Sequence, residues 1–141
     1  MKRHPQILLA SIISLILAIS INTAKATERE TGSHLSIKES GLGVGVENRT
    51  LMGAGDTFEE GSKVYFFTWI LGGQADEHVT HVWIQEQEER FSIDLNIGGP
   101  SWRTWSNKTL HPGSVGNWLV EVRDGSGRVL ESMSFKCIPS I

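Results

Sequence analysis

The sequence predicts an all-β chain, an immunoglobulin-like antiparallel β-sandwich of about seven strands after an N-terminal signal segment. Three observations predict it. From Gly41 onward, short apolar or alternating runs follow at close spacing, each ended by Gly, Pro, Asn or Asp, which is how an antiparallel sandwich is written. After the signal, no segment repeats its apolar residues at the helical period. Cys137 is the only cysteine, so no internal disulfide can form and stability must come from packing. The roughly 115 residues that follow Ala26 are enough to build such a core.

The elements follow in order. Lys2, Arg3 and His4 form a basic start, an apolar run extends from Ile7 to Ile21, and Ala24-Lys25-Ala26 matches a cleavage site, so residues 1–26 read as a signal peptide. The run is shorter than the roughly 20 residues that span a bilayer, and no cysteine follows it to carry a lipid. The alternative is an uncleaved anchor that tethers the same domain to the membrane. Either way the domain is exported, to the periplasm or beyond. Residues 27–40 are polar and charged with little periodicity and read as a flexible lead-in. The domain then occupies 41–141.

Within it the expected strands are Leu42–Glu47, Val64–Leu71, Thr80–Gln85, Arg90–Ile97, Trp102–Leu110, Trp118–Arg123 and Val129–Phe135. In the clearest of them, Phe91, Ile93, Leu95 and Ile97 share one face and Ser92, Asp94 and Asn96 the other. Asp124-Gly-Ser-Gly127 makes a tight turn into the last strand, a hairpin signal. Thr80–Gln85 and Arg90–Ile97 form a second hairpin, joined through a charged link without glycine. The glycines of Gly41-Leu-Gly-Val-Gly45 precede a strand and no helix, which excludes a dinucleotide fingerprint and points to a bulge or an edge.

Cutting after Ala26 removes three basic residues and no acid, leaving ten bases against sixteen acids, net −6. That balance argues against nucleic acid and anionic lipid as partners. Asn48-Arg-Thr50 and Asn107-Lys-Thr109 match a glycosylation pattern, but the bacterial style of the signal makes chance the better reading.

The chemistry centres on two runs. In Thr80–Gln85, Val82 and Ile84 suit a core, which leaves His81 and Trp83 on the opposite face. In Trp102–Asn107, alternation sets Arg103, Trp105 and Asn107 on one face and Trp102, Thr104 and Ser106 on the other. His81, Trp83, Arg103 and Trp105 are therefore the candidate ligand-binding residues, an exposed aromatic and basic patch. Indoles stack on sugar rings or cations, while Arg and His supply directional donors to hydroxyls or carboxylates. The competing reading is structural: one indole of each pair caps a sandwich edge, Arg103 stacks on it, and nothing binds.

No metal or cofactor site is expected. His78 and His81 are three apart, which on a strand puts them on opposite faces, and Asp76 and Glu77 beside His78 complete no four-ligand pattern. Asp56, Glu59 and Glu60 lack a calcium-loop spacing. There is no Gly-x-Ser-x-Gly elbow, and Cys137 has no obvious base. A lyase-type site with His81 or Tyr65 as base and Arg103 neutralising a uronate stays open as an alternative.

Several stretches together carry a family likeness: "GVGVENRTLMGAGDTF", "KVYFFTWI", "THVWIQ" and "GGPSWRTWSNKTLHPGSVGNWLVEVRDGSGRVLESMSF". They resemble the bacterial domain of unknown function 2914 over residues 42–136, through Thr80–Trp83, Trp102–Ser106, Pro112-Gly113 and the Gly-x-Trp at 116–118. The resemblance implies an exported all-β domain and names no activity. The chain departs from the family's pattern at the 85–90 turn, where an Asn-Gly is often found. The function expected is a non-catalytic envelope module binding a polysaccharide or an envelope protein. A small polysaccharide-acting lyase or hydrolase, or a structural domain pairing by strand edges, are the alternatives.

Overall fold

The computed structural model describes residues 33–141; the expected signal peptide lies outside the described residues. Ten strands follow one another, β1 (Ser36–Gly43), β2 (Gly45–Glu47), β3 (Thr50–Met52), β4 (Thr57–Glu59), β5 (Lys63–Leu71), β6 (Glu77–Gln85), β7 (Glu88–Ile97), β8 (Ser101–Thr109), β9 (Gly116–Arg123) and β10 (Val129–Ile138). They form a three-stranded sheet β1-β5-β8, a five-stranded sheet β4-β10-β9-β6-β7, and a small hairpin β2-β3. The two larger sheets make the expected sandwich. One feature departs from a purely antiparallel plan: three-residue β4 pairs parallel with β10.

The first strand starts earlier than expected. β1 begins at Ser36, inside the segment read as flexible, because its Ile37, Leu42 and two glycines take their packing from β5 and not from local periodicity. Six of the seven expected strands recur with bounds shifted by a few residues, and the Leu42–Glu47 run divides between β1 and β2.

The core is apolar and aromatic. Val64, Phe66 and Ile70 of β5 face Val79 and Trp83 of β6, Trp118, Val120 and Val122 of β9 and Phe135 and Cys137 of β10, all buried. Each such side chain contributes about 1.5–3 kcal/mol by leaving water. Phe135 is the hub, stacked on Trp118 at 5.6 Å and 10° and meeting Trp83 edge-on at 6.2 Å and 76°. The Trp118 indole donates to the Ser114 carbonyl at 2.7 Å, so burying this ring strands no donor.

One of the two hairpin turns matches its residue chemistry and the other does not. Asp124 Oδ1 accepts from the Ser126 and Arg128 amides and the Ser126 hydroxyl, and Gly127 takes φ 87°, closing the β9–β10 connection. The β6–β7 hairpin is tighter than its charged link suggested. Only Glu86 and Gln87 separate the paired Gln85 and Glu88, both at positive φ, 46° and 69°, the backbone of a turn that Asn-Gly normally fills. Glu86 is compensated: its amide donates to the Asn117 carbonyl and its carboxylate accepts from the Asn117 amide at 2.6 Å, which lengthens the β6–β9 pairing.

The outer face of the three-stranded sheet is half covered. A Cβ on Gly41 would lie 2.5 Å from the Leu51 side chain, and one on Gly43 2.9 Å from it. Two glycines on β1, an edge strand as the glycine run had suggested, thus let the β2–β3 hairpin lie down on the sheet, a use of them the sequence did not show.

Candidate functional site

The four residues expected to form one patch divide between the inside and the outside of the sandwich. His81 and Trp83 are fully buried, on the inner face of β6 with Val79 and Gln85, while Ile84 points the other way. The expected face assignment of β6 is therefore corrected. Val82 is also buried, at 2% exposure, although it lies on the outer face. β6 runs between β9 and β7, so side-chain polarity could not tell its faces apart.

What holds a histidine in this core is a closed set of hydrogen bonds. Trp83 Nε1 donates to Ser106 Oγ at 3.1 Å, and Ser106 Oγ lies 2.8 Å from His81 Nδ1. His81 Nε2 lies 3.2 Å from Thr68 Oγ1, which donates to the Thr104 carbonyl at 3.3 Å. The direction is fixed by its ends, because an indole N–H can only donate and a carbonyl can only accept. The Ser106 proton is then directed at Nδ1, and Nε2–H at Thr68. His81 is thus neutral with its proton on Nε2. Among the described residues no buried side-chain polar atom lacks a partner. Desolvation drives the His81 pKa down from the ordinary imidazole value to about 3. His81 joins β6 to β5 and β8 across the two sheets and reaches no solvent, so it does not serve as a base for an external substrate.

Arg103 and Trp105 do share an outer face, as alternation along β8 required, while Trp102 packs against the core. Register puts Trp69 beside Arg103, Phe67 beside Trp105 and Tyr65 beside Asn107. The outer face of the three-stranded sheet is therefore aromatic along β5 and mixed along β8. Trp105 lies nearly parallel to Phe67, at 6.5 Å and 14°, and Phe67 is 2% exposed beneath its neighbours.

Trp69 is the most constrained residue of this face. The Lys38 ammonium sits 3.7 Å from its ring centre and the Arg103 guanidinium 3.8 Å from it, while its indole N–H donates to Ser101 Oγ at 2.9 Å. Trp69 is on the central strand, with Lys38 arriving from β1 on one side and Arg103 from β8 on the other, so the two cations clamp opposite faces of the ring. Lys38 owes its place to a β-bulge. The register slips between Ile37 and Glu39, leaving Lys38 unpaired and swung onto the aromatic face, a common use of bulges. Lys38 is exposed, and Trp69, Arg103, Trp105 and Tyr65 are half-buried. Ion pairs among the described residues are His34–Glu77, Arg90–Glu88 and Arg123–Glu121, so neither clamp cation has a carboxylate partner there.

Sequence reasoning missed Lys38 and Trp69. Trp69 could have been found, since alternation through Lys63–Leu71 puts Tyr65, Phe67 and Trp69 on one face. Lys38 could not, because its position depends on the bulge. His78, weighed above beside Asp76 and Glu77, joins no ligand cluster: among the described residues no group of three acidic, His or Cys side chains converges, and Glu77 is taken by His34 at 2.5 Å.

Residues 76–137 match the model of the family DUF2914, protein of unknown function, the family that the sequence resembles. The match runs from the start of β6 to the penultimate residue of β10; it includes Arg103 and Trp105, and Lys38 and Trp69 lie outside it. No curated protein matches the chain. Among solved structures the chain is similar to the Pseudomonas fluorescens alkylpurine DNA glycosylase AlkC bound to DNA containing an abasic site analog. That likeness has a TM-score of 0.51 at 11% identity and covers 75% of this chain and 31% of that one. At this identity it is a likeness of fold alone, and the chain spans under a third of that protein's length.

Proposed function

We propose that the chain is a non-catalytic binding module of the bacterial envelope, exported by its N-terminal signal, which holds a glycan on the outer face of the three-stranded sheet. The observation that carries this reading is the clamp that holds Lys38 and Arg103 on the two faces of Trp69, itself tied to Ser101, beside the half-buried indole of Trp105 on the same face of the sheet. An indole with positioned donors beside it is what sugar rings dock on; Trp105 supplies the stacking face, since the cations cover both faces of Trp69, and the clamp leaves little side-chain entropy for Lys38 and Arg103 to lose on binding. A binding role needs no titrating group in the site. The lyase-type alternative loses His81 as its base to burial, with Tyr65 on the outer face as its remaining candidate.

The test is a pull-down from an envelope extract of the producing organism, with the full chain beside a folded Arg103→Ala/Trp105→Ala variant, reading both carbohydrate and protein in the eluate. Carbohydrate retained by the wild type alone supports the reading. Protein retained by the wild type alone makes the ligand a partner protein. Identical eluates assign both side chains to structure and end the proposal.

A further inference from the structure

The geometry points to a carboxylate as the group this surface selects: we infer that Lys38 and Arg103 together receive the carboxylates of a sparsely charged acidic glycan, one whose uronates are separated by neutral sugars. The inference rests on the binding role proposed above. It starts from a mismatch between position and pairing. Two cations are held against one indole, and among the described residues neither forms an ion pair. Glu39, which pairs with Trp69 in register, is the nearest acid on the strand and takes neither of them.

A cation resting on an aromatic face is attracted by the ring quadrupole without losing its hydrogen-bond donors. The guanidinium donors lie in its own plane and the ammonium has three, so both groups retain capacity for an anion's oxygens. The clamp also lowers the cost of ordering two long side chains, which is the usual reason why exposed ion pairs contribute little.

The ligand's charge density follows from the rest of the chain. With 16 acidic residues against 13 basic ones over the full sequence, the long-range field repels a dense polyanion, whereas a local cation pair is felt within about 10 Å at ordinary ionic strength. Isolated carboxylates on an otherwise neutral polymer satisfy both conditions. Trp105, with Tyr65 and Asn107 opposite each other on the same face, offers the neighbouring sugar an indole, a phenol and an amide.

The probe is a hyaluronan oligosaccharide, in which uronates alternate with neutral amino sugars, titrated against the full chain beside the same oligosaccharide with its carboxyls reduced to alcohols. The acid form is expected to bind about tenfold or more tightly than the reduced form, as expected for charge-assisted contacts. A Lys38→Met/Arg103→Gln variant, shown to be folded by near-ultraviolet circular dichroism, is expected to lose that preference. Equal binding of the two forms overturns the carboxylate while leaving the sugar-binding reading intact, provided Trp105→Ala still weakens both. Failure to bind the acid form overturns the inference, and the envelope pull-down then decides the broader reading separately. Equal or tighter binding of a polyglutamate peptide overturns the glycan assignment and makes the occupant an acidic peptide.

Discussion

His81 stands in the core because Ser106 and Thr68 meet its two nitrogens, and its protonation would undo that arrangement. An Nδ1–H would face a hydroxyl already accepting from Trp83, leaving the Ser106 proton without its partner. Since the folded pKa is depressed to about 3, the unfolded chain binds the extra proton first, and stability must fall as pH drops through the unfolded value near 6.5. The expected loss is about 2 kcal/mol between pH 8 and pH 5, at up to about 1.4 kcal/mol per unit. Urea unfolding of the wild type beside His81→Gln checks it: the variant, though less stable at pH 8, should lose this slope, and equal slopes would refute the assignment. The two tryptophans once expected on one surface also separate by energy. Trp83→Ala should cost about 3–5 kcal/mol as a core truncation, and Trp105→Ala far less, because only part of that ring leaves water. Near-equal losses would mean that Trp105 is a core residue.

At the scale of elements, two tight turns set the register of the five-stranded sheet. The Glu86-Gln87 turn holds two non-glycine residues at positive φ, a conformation that costs L-residues roughly 1–2 kcal/mol each. Glu86 is compensated by its bonds to Asn117, and Gln87 has no such bond. Gln87→Gly is therefore expected to raise stability by about 1 kcal/mol, read as a shift of the urea midpoint at constant slope; a loss would show that Gln87 makes a contact outweighing its strain. The opposite holds at the β9–β10 turn. Hydrogen bonds from Ser126 above all, and from the Arg128 amide, hold the Asp124 pKa below the ordinary carboxylate value, so the charged form stabilises the fold above that range and the benefit fades as pH falls through it. Asp124→Ala should cost about 2 kcal/mol at neutral pH, measured by the same titration, and a cost near zero would remove the turn from the determinants of register.

For the whole molecule, Cys137 reports on integrity. Its thiol is 1% exposed on β10, and burial, with a smaller contribution from Glu60, raises its pKa, so it is neither reachable nor readily ionised. Alkylation should be negligible in the native state and should rise with urea in step with the loss of circular dichroism. Labelling that runs ahead of global unfolding would show that β10 opens on its own, as local units of a fold can.

The sequence by itself determined the strand period, the β9–β10 turn and the sharing of faces within a strand. Alternation set Arg103 with Trp105 and Trp102 with Ser106, because β8 pairs with β5 without a bulge. Which face became the interior was decided elsewhere. On β6 aliphatic Val82 and Ile84 look like core beside His81 and Trp83, and by local hydrophobicity they are. The interior went to His81 and Trp83 because β8 and β5, distant in sequence, supply the hydroxyls of Ser106 and Thr68 that make a polar core affordable. Thr68 among Val64, Phe66 and Ile70, and Ser106 in line with Trp102, were the visible traces of that need. The place of Lys38 had no trace at all, since a bulge arises from pairing between strands. Periodicity is a property of one strand and so can be read from the chain; hydrogen-bond satisfaction and register belong to pairs of strands, and only the tertiary structure brings those pairs together.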